Sequence, residues 1–203
     1  MQMSVATNDH DIRNALKRLL DRRFASDPET LIVNELGVSH GAARIDVAVV
    51  NGAIHGYELK SDSDTLARLP SQVQVFSSVL DYITLVVGRR HLHKAAKMVP
   101  AWWGIRLAAK GPRRGVAFCD IRRPRRNPSP DMLAVAKLLW RQEALSILSE
   151  MGASDGFRSK PRAAIYARLV EVMSPTTLRA KVRSQLRCRA SWRLGERQRP
   201  DGG

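Results

Sequence analysis

The sequence predicts an α/β fold in which a mixed central sheet is flanked by helices and is followed by a basic helical appendage. Three observations support this prediction. Segments with helical apolar periodicity alternate with short β-branched runs over residues 1–121. Three prolines and four arginines then crowd residues 122–130, which indicates a linker. Helical patterns occupy residues 131–192, a basic helical region, and a polar tail at residues 193–203 is expected to be disordered.

Basic residues are concentrated in the second half of the chain. Residues 1–105 contain 12 Lys/Arg and 11 Asp/Glu, whereas residues 106–203 contain 22 and 8. This asymmetry favours a polyanionic partner, because each neutralised phosphate releases counterions; a solvated basic surface is the alternative. No apolar run is long enough to cross a membrane or to act as a signal peptide. A cytoplasmic protein without a membrane partner is therefore expected.

One helix and one strand are predicted before the central hairpin. Asn8–Phe24 shows helical periodicity, with two acids in its first turn that suit the helix dipole. Its apolar stripe comprises Ile12, Leu16, Leu19 and Leu20. Thr30–Leu36 is typical of a strand and contains a single acid, Glu35. Gly37–Ala43 is a connecting loop.

A β-hairpin is predicted for Arg44–Val50 and Ala53–Ser61, with Asn51–Gly52 at its turn. A two-residue loop would make paired residue numbers sum to 103. Five apolar residues of the hairpin are odd-numbered, so they share one buried face only if that sum is even. These residues are Ile45, Val47, Val49, Tyr57 and Leu59. A three-residue loop or a bulge, with Gly52 at positive φ, gives a sum of 104.

This register brings ionic side chains together. Asp46 falls opposite Glu58, and Lys60 shares a face with Glu58 because it is two residues further along the strand. Two facing carboxylates repel each other, but Mg²⁺ or Mn²⁺ would reverse the sign of that interaction because hard cations take carboxylate oxygens. A nearby ammonium can orient an attacking water and offset charge growing on phosphorus. The pattern therefore predicts metal-dependent phosphodiester hydrolysis.

The same residues carry a family resemblance. Asp46, followed on the next strand by Glu58-Leu59-Lys60, resembles the PD-(D/E)XK signature of the restriction-endonuclease-like nuclease superfamily. The segment GYELKSDSDTLARLPSQ is similar in sequence to an uncharacterised bacterial branch of that superfamily. The resemblance implies an αβββαβ core and a metal ion bound by Asp46, Glu58 and the Leu59 carbonyl, with Lys60 serving the nucleophilic water. It also makes Glu35 a candidate metal ligand, the alternative being a solvent-facing edge residue.

The chain departs from that family pattern at two positions. Ile45 stands where the name of the motif has proline. Some members carry Gln-x-x-x-Tyr on the following helix, whereas this chain has Gln72-x-x-x-Phe76, which leaves the tyrosine hydroxyl without a counterpart. Gln72 lies on the inward stripe of that helix and is assigned to the catalytic site; a core glutamine with satisfied hydrogen bonds is the competing interpretation.

The remaining core elements follow from periodicity and length. The helix after the hairpin begins near Thr65 or at Pro70 and ends at Leu80. The continuous apolar run Tyr82–Val87 is typical of a central strand that is buried on both faces. A helix and two further strands complete the core, over Arg89–Met98, Ala101–Ala108 and Gly115–Ile121.

Candidate nucleic-acid contacts lie on three segments. Arg68 is placed to meet the scissile phosphate, or else forms a surface salt bridge. The linker arginines can lie along a phosphate backbone, or else are simply solvated: Arg122, Arg123, Arg125 and Arg126. Three helices then follow over Asp131–Met151, Pro161–Val172 and Ser174–Arg189, and the last carries Arg179, Lys181, Arg183 and Arg187. The last two helices are either a helix-turn-helix-like DNA reader or a cap packed on the core.

The predicted function is that of a Mg²⁺-dependent endo- or exodeoxyribonuclease whose basic half binds DNA. RNA as the substrate, and a homodimer that cuts two strands, both stay open. A catalytically inert nucleic-acid-binding or regulatory protein on the same fold is the alternative. No GxxxxGK[ST], GxGxxG or G-x-S-x-G motif is present, so nucleotide-binding enzymes and Ser/His/Asp hydrolases have no support.

Overall fold

Six strands form one mixed sheet in this computed structural model, which describes residues 6–111 and 115–196. In chain order the elements are α1 (Asp9–Arg23), β1 (Leu31–Val38), a 3₁₀ turn (Ser39–Gly41), β2 (Ala43–Val50), β3 (Ile54–Lys60), α2 (Leu69–Val79), β4 (Tyr82–Gly88), α3 (Leu92–Met98), β5 (Gly104–Lys110), β6 (Val116–Arg122), α4 (Met132–Ala136), α5 (Arg141–Glu150), α6 (Arg162–Val172) and α7 (Pro175–Glu196). The predicted α/β class, with a mixed sheet flanked by helices, is confirmed.

The strands lie in the sheet in the same order as in the sequence. The β1–β2, β2–β3 and β5–β6 pairs are antiparallel, and the β3–β4 and β4–β5 pairs are parallel. Parallel neighbours need a crossover, which α2 and α3 provide. The prediction of a central strand over Tyr82–Val87 is confirmed, since β4 is buried from Ile83 to Gly88 between two parallel partners.

Helix α1 covers one face of the sheet. The Asn8 side chain caps it by accepting a hydrogen bond from the Asp11 amide at 2.8 Å, which satisfies one of the free N–H groups of the first turn. Its apolar stripe is buried in a cluster that comprises Ile12, Leu16, Leu20, Val47, Val49, Tyr57, Leu59, Val86 and Ala108. The predicted helix and its inward stripe are thus confirmed, except that Leu19 is only partly buried.

The opposite face of the sheet packs against α2, α3 and all four C-terminal helices in one continuous core. The helical region contributes Val135, Leu139, Ile147, Ile165, Tyr166, Leu169, Leu178, Val182 and Leu186 to that core. The prediction of a helical cap packed on the sheet is therefore confirmed. No described helix is both long enough and apolar enough to span a membrane.

The proline- and arginine-rich segment at residues 122–130 is anchored to the core. The Asn127 side chain is 7% exposed and donates hydrogen bonds to the carbonyls of Ser77 and Leu80 at 2.6 and 2.9 Å. The backbone N–H of Asn127 donates to the Asp81 carbonyl, and the backbone N–H of Arg125 donates to the Trp102 carbonyl, both at 2.8 Å. Backbone and amide hydrogen bonds, rather than apolar burial, therefore fix a segment that its composition had predicted to be a linker.

Two predicted helix boundaries are wrong. The single helix predicted over 131–151 is broken between α4 and α5, because the carbonyls of Leu138 and Leu139 accept hydrogen bonds from the Arg189 guanidinium and the Tyr166 hydroxyl instead. Helix α7 continues to Glu196, so the part of the expected disordered tail at residues 193–196 is helical. The rest of that tail, residues 197–203, lies outside the described residues.

The hairpin register is confirmed. Val47 pairs with Tyr57 and Val50 with Ile54, so paired numbers sum to 104 around a three-residue loop. The Asn51 side chain accepts a hydrogen bond from the Ala53 amide at 3.3 Å and closes the loop. The expectation of positive φ at Gly52 is wrong, since this glycine is not among those with positive φ.

His55 lies on the α1 side of β3 in surroundings that oppose its protonation. Its ring stacks on Tyr57 with centroids 4.4 Å apart, and Nε2 is 2.8 Å from Thr84 Oγ1. Burial, assisted by the positive charges of Arg106 and Arg23, lowers the pKa of His55 from 6.5 to about 3. The folded protein therefore holds His55 neutral at pH values where the unfolded chain binds a proton.

This neutral histidine predicts a stability loss on acidification. The contribution of neutral His55 to the free energy of unfolding is fully present above pH 6.5. It is lost as pH falls toward 3, by about 1.4 kcal/mol per pH unit. We expect His55→Gln, which does not titrate, to give a flatter dependence of unfolding free energy between pH 7 and 5 in urea titrations. Titration of the carboxyl groups is common to both proteins and cancels in the difference. Parallel profiles would show that His55 is not held neutral.

Candidate active site

A cavity of about 610 Å³ lies beside β2 and β3, between α1 and the start of α2. Its polar lining includes Asp9, Arg13, Arg44, Asp46, Glu58, Lys60, Asp64, Arg68, Ser71 and Gln72. Leu59 also lines it. The structure thus brings together the predicted carboxylates, lysine, glutamine and arginine from four separate elements and loops.

Glu58 is the most buried charged group of this cavity. Its side chain is 1% exposed, and Oε1 accepts hydrogen bonds from Lys60 Nζ at 2.6 Å and from Gln72 Nε2 at 2.7 Å. The other oxygen, Oε2, is buried and has no hydrogen-bond partner. Burial, reinforced by the negative charge of Asp46, raises the pKa of Glu58 to about 7, although Lys60 and Gln72 oppose that rise. An unpaired buried carboxylate oxygen is costly, which marks this group as a candidate ligand.

Gln72 is held at the site by the helix that carries it. Its amide nitrogen must face Glu58, because a carboxylate can only accept, and this leaves Gln72 Oε1 buried without a partner. One helical turn further on, Phe76 is fully buried in the core. The phenyl ring therefore anchors α2 and does not reach the cavity, whose described lining includes Gln72 and Val75 but not Phe76.

Asp46 is held from two sides. Oδ2 accepts a hydrogen bond from the Leu59 amide at 2.8 Å, and Oδ1 accepts one from Arg13 Nη2 at 2.8 Å. Arg13 Nη1 also donates to the Asp46 carbonyl at 3.0 Å, while Arg13 Nε donates to Asp9 Oδ2 at 3.2 Å. Arg13 was missed by the sequence analysis. The one signal for it was the i,i+4 spacing of Asp9 and Arg13 on the polar face of α1.

The β1–β2 ladder changes face next to the site. It pairs Asn34 with Val47 and Leu36 with Ile45, so that Glu35 and Asp46 lie opposite each other between these pairs. Glu35 has a φ of 52°, a left-handed conformation that interrupts the regular alternation of the strand. Around the same position on β2, Ile45 packs in the core on the α2 side, whereas Val47 faces α1. The prediction that Ile45 shares a buried face with the other odd-numbered residues is therefore wrong, because Ile45 packs against the opposite core cluster.

Glu35 is not brought to the cavity that contains Asp46 and Glu58. The positive φ directs its side chain outward, where it is 58% exposed and pairs with Arg44 at 3.3 Å. It lines a second cavity of about 800 Å³ beside β1 instead. The structure places Glu35 outside the cavity that contains Asp46 and Glu58, which favours the alternative of an exposed residue on the edge strand.

Of the arginines predicted to contact nucleic acid outside the last helix, all but Arg122 are exposed. Arg68 is exposed where α2 begins and lines the first cavity. Arg123, Arg125 and Arg126 are exposed on the anchored segment. Arg122 serves the fold instead, because its guanidinium donates to the Trp103 and Pro100 carbonyls at 2.7 and 2.9 Å.

The cations predicted on the last helix are largely engaged by acids. Arg179 lies 3.7 Å from Asp81 Oδ1, Lys181 lies 2.6 Å from Glu150 Oε2, and Arg187 lies 3.7 Å from Glu29 Oε2. Arg183 is half-buried, and burial lowers the pKa of its guanidinium. These side chains therefore attach α7 to the rest of the protein, which leaves less of their charge for a nucleic acid than the sequence suggested.

The donor set at the cavity limits which cofactor it suits. Within residues 6–111 and 115–196, no group of three or more His, Cys, Asp or Glu side chains is arranged to hold a metal ion. Asp46 and Glu58 provide two carboxylates, and the buried Gln72 Oε1 is a third oxygen nearby. A small number of hard oxygen donors suits Mg²⁺ or Mn²⁺, with water and phosphate oxygens as the remaining ligands. Zinc is more often bound by nitrogen and sulfur ligands.

Comparisons with known proteins give the family of the chain. One curated relative, protein cII of Enterobacteria phage P4, is 29% identical over 103 residues, which are 51% of this chain and 39% of the relative. The matched part thus spans well under half of that relative. A protein of unknown function from Silicibacter pomeroyi, whose structure is solved, aligns over 70% of this chain and 91% of that chain, with 19% identity and a TM-score of 0.40. A sequence model of the family described as bacteriophage P4 protein cII matches residues 3–194, and the chain therefore belongs to that family.

Proposed function

We propose that this protein is a metal-dependent nuclease that hydrolyses phosphodiester bonds of DNA, on a core of the restriction-endonuclease-like αβββαβ type. The observation that carries the proposal is the convergence of Asp46, Glu58, Lys60 and Gln72 on one cavity. The order of α1, the antiparallel strands β1–β3, α2 and the parallel strand β4 agrees with such a core.

The fit of a divalent cation can be judged from the oxygens that lack partners. Glu58 Oε2 and Gln72 Oε1 are both buried without a hydrogen bond. Each is a hard donor of the type that Mg²⁺ and Mn²⁺ prefer. Asp46 and Glu58, with the Leu59 carbonyl as the further ligand implied by the motif, would hold the cation. When bound, the ion would supply Lewis-acid polarisation of a phosphoryl oxygen.

The side chains of this protein account for the rest of the chemistry. The reaction consumes one water: its oxygen bonds to phosphorus, one P–O ester bond breaks, and its two hydrogens end on the two products. The Lys60 ammonium, fixed by Glu58 at 2.6 Å, orients that water and offsets charge on the phosphoryl group. Arg68, exposed at the same cavity, binds a phosphate oxygen of the substrate.

The alternative is a catalytically inert nucleic-acid-binding protein on the same fold. One observation favours it: both Asp46 oxygens already accept hydrogen bonds from the protein itself. Fold does not establish activity, so the two functions must be separated by an assay.

The test is a panel of labelled single-stranded, duplex and branched DNA and RNA molecules incubated with Mg²⁺ or Mn²⁺. We expect cleavage of DNA by the unmodified protein and at least an about 100-fold lower rate for Lys60→Ala, because the group that orients the water is lost. Lys94→Ala, which removes an exposed lysine of α3, is the matched control and should cleave normally. If no member of the panel is cut with either metal, or if Lys60→Ala cuts as fast as the control, the proposed function fails.

A further inference from the structure

Both carboxylates proposed to hold the metal, Asp46 and Glu58, already have a cation from the same chain. Asp46 Oδ1 lies 2.8 Å from Arg13 Nη2, and Glu58 Oε1 lies 2.6 Å from Lys60 Nζ. With both acids ionised, these four side chains carry no net charge. A divalent cation entering this arrangement would gain little electrostatic energy unless one of the two resident cations moved away.

The two resident cations differ in how readily they can move. The Lys60 side chain is 7% exposed and the Glu58 side chain is 1% exposed, so separating them would strand a buried charge. The Arg13 side chain is 25% exposed, and Asp46 is 22% exposed. Arg13 also has a second acid within reach, because its Nε already donates to Asp9 Oδ2 at 3.2 Å on the same helix. Arg13 is therefore the cation that can leave its carboxylate at the lower cost, although its 3.0 Å hydrogen bond to the Asp46 carbonyl is also lost.

We propose that Arg13 is a resident counter-ion of Asp46 which a divalent cation displaces. The inference rests on the proposed function, because it concerns the same two carboxylates. Asp9 retains the guanidinium at the edge of the cavity after it leaves Asp46, and there it is placed to bind a phosphate oxygen of the nucleic acid. Metal binding and substrate binding are thereby coupled, because the ion that occupies Asp46 also releases a phosphate-binding group.

The second carboxylate contact of Asp46 does not depend on Arg13. The Leu59 amide holds Oδ2 at 2.8 Å, so the carboxylate keeps its orientation when the guanidinium is removed. Removing the guanidinium therefore tests whether Arg13 competes with the metal ion for Asp46 or instead positions Asp46 to bind that ion. A competitor weakens metal binding, so its removal tightens that binding; a group that merely positions Asp46 has the opposite effect.

The test is isothermal titration of Mn²⁺ and of Mg²⁺ into the unmodified protein and three variants. Arg13→Gln removes the charge but keeps a donor, and we expect it to bind metal about tenfold tighter. Arg13→Lys keeps the charge and should bind metal with nearly the original affinity. Lys17→Gln is the matched control, because it removes one charge and one i,i+4 ion pair from α1 away from the cavity. We expect the affinity of the control to change less than twofold.

The outcomes separate this inference from the proposed function. Metal binding by the unmodified protein that is unchanged or weaker in Arg13→Gln would overturn the counter-ion role and leave the proposed nuclease standing. Absence of binding heat in both proteins would overturn both. Metal-dependent rises in the thermal unfolding midpoint provide a second readout and should be larger for Arg13→Gln than for the unmodified protein.

Discussion

DNA cleavage by Asp46→Ala should fall at least about 10³-fold relative to the unmodified protein, with DNA binding retained. The variant removes one of the two carboxylates that would hold the cation and leaves intact the exposed arginines that are proposed to contact phosphates. Glu58 keeps its contacts with Lys60 and Gln72, so the remaining cavity is preserved. Loss of chemistry without loss of binding is the signature expected of a metal ligand.

Cleavage rates with saturating labelled DNA, together with fluorescence anisotropy for binding, measure this separation. Asp21→Ala is a suitable control, since it also removes one acid but from an exposed position paired with Lys17. Thermal unfolding of both variants checks that the fold survives. If Asp46→Ala cleaved DNA at the rate of the control, Asp46 would have no part in catalysis.

Phe76→Ala should lower the free energy of unfolding by about 3–5 kcal/mol, because it leaves a cavity in a well-packed core. The ring is fully buried where α2 meets the sheet. The same helix places Gln72 beside Glu58, so a loosened α2 also weakens the hydrogen bond that holds this carboxylate of the proposed site. We therefore expect reduced cleavage at temperatures where the variant is still folded.

Urea denaturation followed by circular dichroism gives the stability change. Gln74→Ala lies two residues earlier on the exposed side of α2 and should change the free energy of unfolding by less than about 0.5 kcal/mol. A loss below about 1 kcal/mol for Phe76→Ala would mean that neighbouring side chains fill the space and that the ring does not anchor the helix.

The hairpin register could be predicted because it depends only on side-chain alternation. Val47, Val49, Tyr57 and Leu59 bury one face only if paired numbers sum to an even value, and the structure has that register. Burial of an entire face outweighs the local preference for a two-residue turn. Placement of Glu58 and Lys60 on one face followed from the same alternation.

The face change at Glu35 could not be predicted. A left-handed glutamate carries no sequence signal, since that conformation is typical of glycine or asparagine. The tertiary structure imposes it, and at this position Ile45 lies on the opposite side of the sheet from Val47 while Glu35 lies outside the cavity. Strand periodicity assumes an uninterrupted ladder and therefore fails at such a position.

The partners of the charged residues were also beyond prediction from sequence. Long side chains such as Arg13 and Arg179 find acids that are distant in sequence, at Asp46 and Asp81, and no spacing rule covers such pairs. The break between α4 and α5 is similar, because it depends on Tyr166 donating to the Leu139 carbonyl from another helix. Glycine or proline, the usual signals of a helix end, are absent from that stretch.

Because residues 122–130 are anchored to the core, we expect the sheet and the C-terminal helices to unfold together rather than as two separate modules. Asn127 seals the end of α2, and the helices beyond it complete the hydrophobic interior beneath the sheet. Proteolytic removal of those helices would expose a large apolar surface and would promote aggregation rather than release a smaller folded protein. A force applied to α7 by a binding partner would therefore be transmitted to the sheet, including strands β2 and β3, which carry Asp46 and Glu58.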